Sequence, residues 1–118
     1  MRLNEIDFEG AIPVDGYGPG FFRVGDKRID GPLLMAGGEP TAWGGLEDLQ
    51  TLLALTGQID VLFVGMGAEI AHLPAELRAA LEDAGLGVEV MNSPAACRTY
   101  NVLLSEGRRV ALAALPIG

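Results

Sequence analysis

Ile59-Asp60-Val61-Leu62-Phe63-Val64-Gly65-Met66-Gly67 is a short, nearly unbroken apolar run that ends in a glycine turn. A strand with one wet face alternates apolar and polar residues, whereas a run like this one fits a strand covered on both faces. The flanking segments support that reading. Upstream, Leu46, Leu49, Leu52 and Leu53 recur at helical spacing, with Glu47 and Asp48 placed for the positive end of the helix dipole and Gly57 for the C′ position. Downstream, Leu73, Leu77, Leu81 and Ala84 step in the same way, with Pro74 at N1, Glu76 in the first turn and Gly85 as the stop.

Further along, Val88-Glu89-Val90-Met91 reads as a strand, and Ser93-Pro94 opens a third helix in which the Ser hydroxyl caps and Pro takes N1. Ala96, Tyr100, Leu103 and Leu104 give that helix an inward face, Gly107 ends it, and Arg109 to Leu115 forms a last apolar strand. The first forty residues are dense in Gly and Pro and read as β-rich. Phe21-Phe22-Arg23-Val24 and Lys27-Arg28-Ile29 flank Gly25-Asp26, a pair suited to a two-residue hairpin turn, and Leu33-Leu34-Met35 is a further short strand. A β-rich head followed by α, β, α, β, α, β predicts an α/β fold: a single domain over residues 1–118 with a largely parallel central sheet and helices packed against it.

Composition narrows the function classes. The chain is 118 residues long, 49% hydrophobic and 20% charged, which suffices for one core without disulfides. A net charge of −8 argues against nucleic acid and anionic membranes, because both require Lys and Arg to displace counterions. The longest apolar runs are of strand length, so no membrane insertion is expected. Met1-Arg2-Leu3-Asn4-Glu5-Ile6-Asp7 does not read as a signal or transit peptide, which predicts a cytoplasmic protein. One Cys and one His cannot supply a four-ligand zinc site, and neither metal nor cofactor is expected.

Three places carry candidate chemistry. Gly65, Met66 and Gly67 follow a strand at the sheet's carboxyl edge, where α/β proteins hold ligands. A dinucleotide fingerprint requires a third glycine where Ile70 stands and a helix that starts at once, so the turn fits tight geometry better than nucleotide binding. Asn92 and Ser93 begin a helix whose free N–H groups suit an anion, with Arg98 one turn further in; an ordinary capped helix is the plainer alternative. Cys97 lies near that helix start, with His72 as the sole base of its type, yet a lone Cys between small residues is more often an inert core residue. Arg98-Thr99-Tyr100-Asn101 gathers a guanidinium, a hydroxyl, a phenol and an amide in one turn. Such a group lines a pocket, ties the helix to neighbouring backbone or forms a partner surface. Glu106 with Arg108-Arg109 offers a surface ion pair, and Trp43 is either a core lid or an exposed anchor.

The stretch from Gly87 through Asn92-Ser93-Pro94-Ala95-Ala96-Cys97-Arg98-Thr99-Tyr100-Asn101 to Arg108 resembles the C-terminal signature of a family of small α/β domains of unknown function. That family occurs in bacteria and archaea and includes a mitochondrial complex I (NADH:ubiquinone oxidoreductase) assembly factor, assembly factor 3, a matrix protein regarded as non-enzymatic. The resemblance extends through Pro32-Leu33-Leu34, Trp43 and Gly65-Met66-Gly67, although the family usually has Thr where Met66 stands. It implies a three-layered domain with a mixed, mostly parallel central sheet and a small N-terminal β element, and it transfers no catalytic residue.

Residues and resemblance together predict a non-catalytic protein-interaction module with an unidentified protein partner, assisting assembly or stability of a respiratory or other complex. The alternative is a small-ligand (anion) binder or enzyme that uses a crevice formed by Gly65, Met66, Gly67, Asn92, Ser93, Arg98 and Tyr100.

Overall fold

The computed structural model describes residues 12–118. The N-terminal segment on which the targeting expectation rests lies outside the described residues. Three short strands come first, β1 (Val14–Gly18), β2 (Phe21–Val24) and β3 (Lys27–Asp30), and they form an antiparallel sheet in the order β1-β2-β3. The expected hairpin is β2–β3, with Val24 opposite Lys27 and Gly25 at φ 60° in the turn.

A second hairpin, β4 (Leu33–Ala36) and β5 (Glu39–Ala42), turns at Gly37-Gly38, both at positive φ. Then come α1 (Leu49–Leu53), β6 (Val61–Gly65), α2 (Ala75–Asp83), β7 (Gly87–Met91), α3 (Ser93–Ser105) and β8 (Val110–Ala114). The central sheet has the order β5-β4-β8-β6-β7. β8, β6 and β7 are parallel to one another, while β4 runs antiparallel to both β8 and β5. The sheet is therefore mixed, with its parallel half built by the two helical crossovers.

β6 shows why its run does not alternate. Leu62 and Val64 belong to one core with Trp43, Leu52, Leu77 and Leu81, beneath α1 and α2. Phe63, on the opposite face, joins Phe22, Val24, Met35, Ala96 and Tyr100 beneath α3 and the small sheet. The three layers are thus α1 with α2, the central sheet, and α3 with the small sheet. Burial of each large apolar side chain in these two cores stabilises by about 1.5–3 kcal/mol. Trp43 is a core lid, buried with its indole N–H donating to the Asp48 carbonyl at 3.2 Å.

Helix ends differ from the expectations in instructive ways. α1 is shorter than the leucine spacing suggests: Asp48 is its N-cap rather than a first-turn residue, and Leu46 and Glu47 precede it. Its C-terminal continuation is a series of turns in which N–H groups donate to the carbonyl three residues back, through Gly57, which stands at φ 81°. Pro74 caps α2 instead of occupying N1. The glycine stops hold: Gly85 and Gly107 each donate to the C2 carbonyl, and the next residue donates to C3, the double bond pattern that satisfies orphan carbonyls. Arg109 pairs with Asp60 at 3.4 Å across the connection rather than with Glu106.

Candidate functional site

The carboxyl ends of β6, β7 and β8 meet at a knot of hydrogen bonds around Ser93. The Ser93 hydroxyl donates to the Leu115 carbonyl at 2.6 Å and accepts from the Gly67 N–H at 2.9 Å. Ser93 N–H donates to the Gly67 carbonyl at 2.7 Å, Met66 N–H to Met91 and Leu115 N–H to Gly65. Ser93 is fully buried, so these bonds act in a low-dielectric setting where an unmet partner is costly.

This arrangement corrects the assignment of the helix cap. Asn92 is the N-cap, its side-chain oxygen accepting from Ala95 N–H at 2.8 Å, and Ser93 and Pro94 are the first two helical residues. With Ser93 N–H on Gly67, no N–H on Pro94, Ala95 N–H on Asn92 Oδ1 and Ala96 N–H on the Asn92 carbonyl, the first-turn donors are all engaged within the chain. The space between turn and helix is likewise filled: a Cβ on Gly65 would lie 2.7 Å from Ser93 Oγ and 2.8 Å from Ser93 Cα. Gly65 is a contact glycine, required because a helix start sits on it.

The remaining signature residues separate. Ser93, Ala96, Cys97 and Tyr100 form the buried stripe of α3 at helical spacing. Arg98 is exposed and lines a shallow surface groove with Thr99, Val102 and Leu103. Tyr100 is completely buried, and its hydroxyl has no hydrogen-bond partner among the described residues. Burial pushes its phenol up to about 12. Asn101 ties α3 to the small sheet: its amide donates to the Val14 carbonyl and accepts from the Val14 N–H, both at 2.9 Å. The polar turn of α3 thus divides among an outer surface, a core and a clamp on neighbouring backbone.

Cys97 is buried, and burial pushes its thiol up to about 12, with the Arg98 charge opposing. A thiol held protonated at neutral pH is a poor nucleophile. His72 lies exposed in the β6–α2 loop, and among the described residues no group of three His, Cys, Asp or Glu side chains is placed to hold a metal. His72 instead lines a mostly apolar cavity of about 200 Å³ with Ile70, Ala71, Leu73, Arg78 and Val90. That cavity was missed by the motif reading, because the loop that builds it carries no spacing pattern; the one available signal was the sole His beside exposed Ile70 at a strand's carboxyl end.

The family described as "Protein of unknown function (DUF498/DUF598)" matches residues 14–115, and the chain belongs to it. An uncharacterized protein of Rhodobacter capsulatus is 51% identical, the match covering 99% of this chain and 94% of that protein. The NADH dehydrogenase (ubiquinone) 1 alpha subcomplex assembly factor 3 of Danio rerio is 34% identical, over 98% of this chain and 71% of its own length. Among solved structures, an outer membrane protein from Bartonella henselae superposes with a TM-score of 0.83 at 35% identity, covering 95% of this chain and all of that one. A Bordetella pertussis protein described as an Mth938-like domain gives 0.77 at 29%, over 98% of this chain and 92% of that one. The resemblance read from the Gly87–Arg108 stretch and the expected α/β fold are both borne out. No helix among the described residues is long and apolar enough to cross a membrane.

Proposed function

We propose that this member of the DUF498/DUF598 family is a non-catalytic protein-interaction module of the cytoplasm that helps a respiratory or other complex to assemble or persist. The observation that carries the reading is the fate of the chemistry-bearing residues of α3. Ser93 and Asn101 are committed to backbone of their own chain, and Cys97 and Tyr100 are buried with raised pKa values. What α3 presents outward is Arg98, Thr99 and the exposed Val102, a surface of the kind that partners cover. The assembly-factor name of the Danio rerio relative, which matches nearly the whole chain, supports the same direction.

The test is cross-linking followed by affinity capture of the tagged chain from its native cell. The expected result is a reproducible protein partner at near-stoichiometric yield. Recovery of no stable partner in several growth conditions contradicts the proposal.

A second reading is favoured by the cavity of about 200 Å³ beside the β6–α2 loop, which places His72 and Arg78 on an otherwise apolar lining near the carboxyl edge of the sheet. In that reading a small apolar anion binds there rather than between Gly65, Met66, Gly67 and Asn92, Ser93. Titration with short carboxylates, followed by amide shifts at Ile70 to Leu73, decides it.

A further inference from the structure

In an acidic protein the placement of cations is informative, and three of the chain's eight Lys and Arg residues fall between positions 23 and 28. The two-residue turn of the β2–β3 hairpin sets Arg23 directly opposite Arg28. Strand alternation sends Phe22 and Val24 into the core, so Arg23 and Arg28 share the outer face of the small sheet with Phe21 and Asp30. Like charges directly opposite each other on one sheet face destabilise a strand pair.

The face around this pair holds Arg28 in place and leaves Arg23 beside it. The Phe21 ring lies against Gly18, where an added Cβ would come within 2.5 Å of the ring. Arg28 stacks on that ring at 4.0 Å from its centroid and Arg23 stands at 5.8 Å. Arg28 Nε donates to Asp30 at 2.9 Å, while Arg23 has no carboxylate partner among the described residues. Gly16 and Gly18 oppose Arg23 and Phe21 on β1, so no β1 side chain stands beside them at these two positions. Two neighbouring guanidiniums, one held on the ring and one without a carboxylate partner among the described residues, are complementary to a carboxylate beside an apolar side chain.

Resting on the interaction-module reading, we infer that the outer face of β1–β3, centred on Arg23 and Arg28, docks a carboxylate-bearing segment of a partner protein. A short acidic peptide fits better than a polyanion. The net charge of −8 repels an extended polyanion along its length, whereas a single local carboxylate reaches the fork within about one Debye length, roughly 8 Å at physiological salt. Phe21 supplies apolar area that a bare inorganic anion does not use.

The test is a titration of the folded chain with the peptide Asp-Leu-Asp-Leu-Asp and its Asn-Leu-Asn-Leu-Asn counterpart, read by amide shifts at physiological salt. Inorganic phosphate, vesicles of phosphatidylglycerol with phosphatidylcholine, and single-stranded DNA are parallel probes. The acidic peptide is expected to saturate shifts at Gly16, Gly18 and residues 21–30, and the Asn peptide to give none. Arg23→Ser and Arg28→Ser should each weaken binding about fivefold, as an exposed charge pair is worth, and together by tenfold or more. Both side chains are exposed and each pair they make is worth at most about 1 kcal/mol, so a thermal melt should show each variant cooperatively folded. The inference is overturned by any of three results: no saturable shift, undiminished binding by the double variant, or equal saturation by phosphate, vesicles or DNA. If the double variant captures the same partner from native cells as the parent does, the docking face is refuted and the module reading stands; if the parent captures none, the module reading fails and the peptide titration still judges the face.

Discussion

Asn101 and Val14, 87 positions apart in the chain, exchange two 2.9 Å hydrogen bonds in which a side-chain amide takes the part of a strand neighbour. Through this pair α3 holds the edge of the small sheet. Asn101→Leu leaves the Val14 N–H and carbonyl without partners and should cost about 1–3 kcal/mol, the usual penalty for part-buried groups left unmet. Denaturant melts measure the loss, and amide exchange at Val14 should accelerate well beyond that of β6.

Gly65 and Ser93 meet without room for another atom. Gly65→Ala should destabilise by about 1–3 kcal/mol, because the new Cβ meets the backbone of α3 as well as a hydroxyl. Ser93→Ala removes both the acceptor of Gly67 and the donor to Leu115, with a cost of about 2–4 kcal/mol. Thermal melts of the two variants check both values, and a melt unchanged from the parent contradicts the knot described at the strand ends.

Much of this was legible in the sequence and some was not, for separable reasons. The apolar runs of β6, β7 and β8 and the glycine stops at Gly85 and Gly107 depend on local pattern, and they stand where the pattern puts them. β1 and β5 were hidden because Gly16, Gly18 and Pro40 read as breakers; β1 has Gly18 where the Phe21 ring crosses, and β5 tolerates Pro40 because it is an edge strand. The capping residue of α3 was misplaced by one position, since Asn92 and Ser93 are both good caps. The choice between them is tertiary: Ser93 is claimed by Gly67 and Leu115, residues far along the chain. For the same reason the motif Arg98-Thr99-Tyr100-Asn101 could be seen as unusual without revealing that it splits between a surface, a core and a clamp.

The buried thiol and phenol make a prediction about alkaline pH. In the folded chain burial raises Cys97 from 9.0 and Tyr100 from 10.0, each to about 12. The unfolded chain therefore releases these protons first, so the stability they provide is complete below about pH 9 and is lost as pH rises toward 12. Each group contributes a slope of up to about 1.4 kcal/mol per pH unit within its window. Denaturant midpoints between pH 8 and 11 should fall accordingly, and Cys97→Ala with Tyr100→Phe should flatten the profile. At pH 8 the native thiol should resist a disulfide reagent that labels it at once in denaturant.

Asp48 gives the opposite sign. The Thr51 hydroxyl, and after it the Gly44 and Thr51 N–H groups, hold its carboxyl below the usual carboxylate range against the effect of burial. Its contribution is present above the unfolded value and is lost as pH falls through the folded one. The difference in melting temperature between the parent and Asp48→Ala should therefore narrow as the solution is acidified below about pH 4.

The central claim, that the signature of α3 serves the fold and that the chain works by binding a protein, meets its most direct test in the native mass of the endogenous protein. Size-exclusion chromatography of a gentle lysate, followed by immunodetection, compares it with the purified chain. The account predicts that the cellular species elutes as a larger assembly than the purified one. Co-elution of the two, in every growth condition tried, would contradict it.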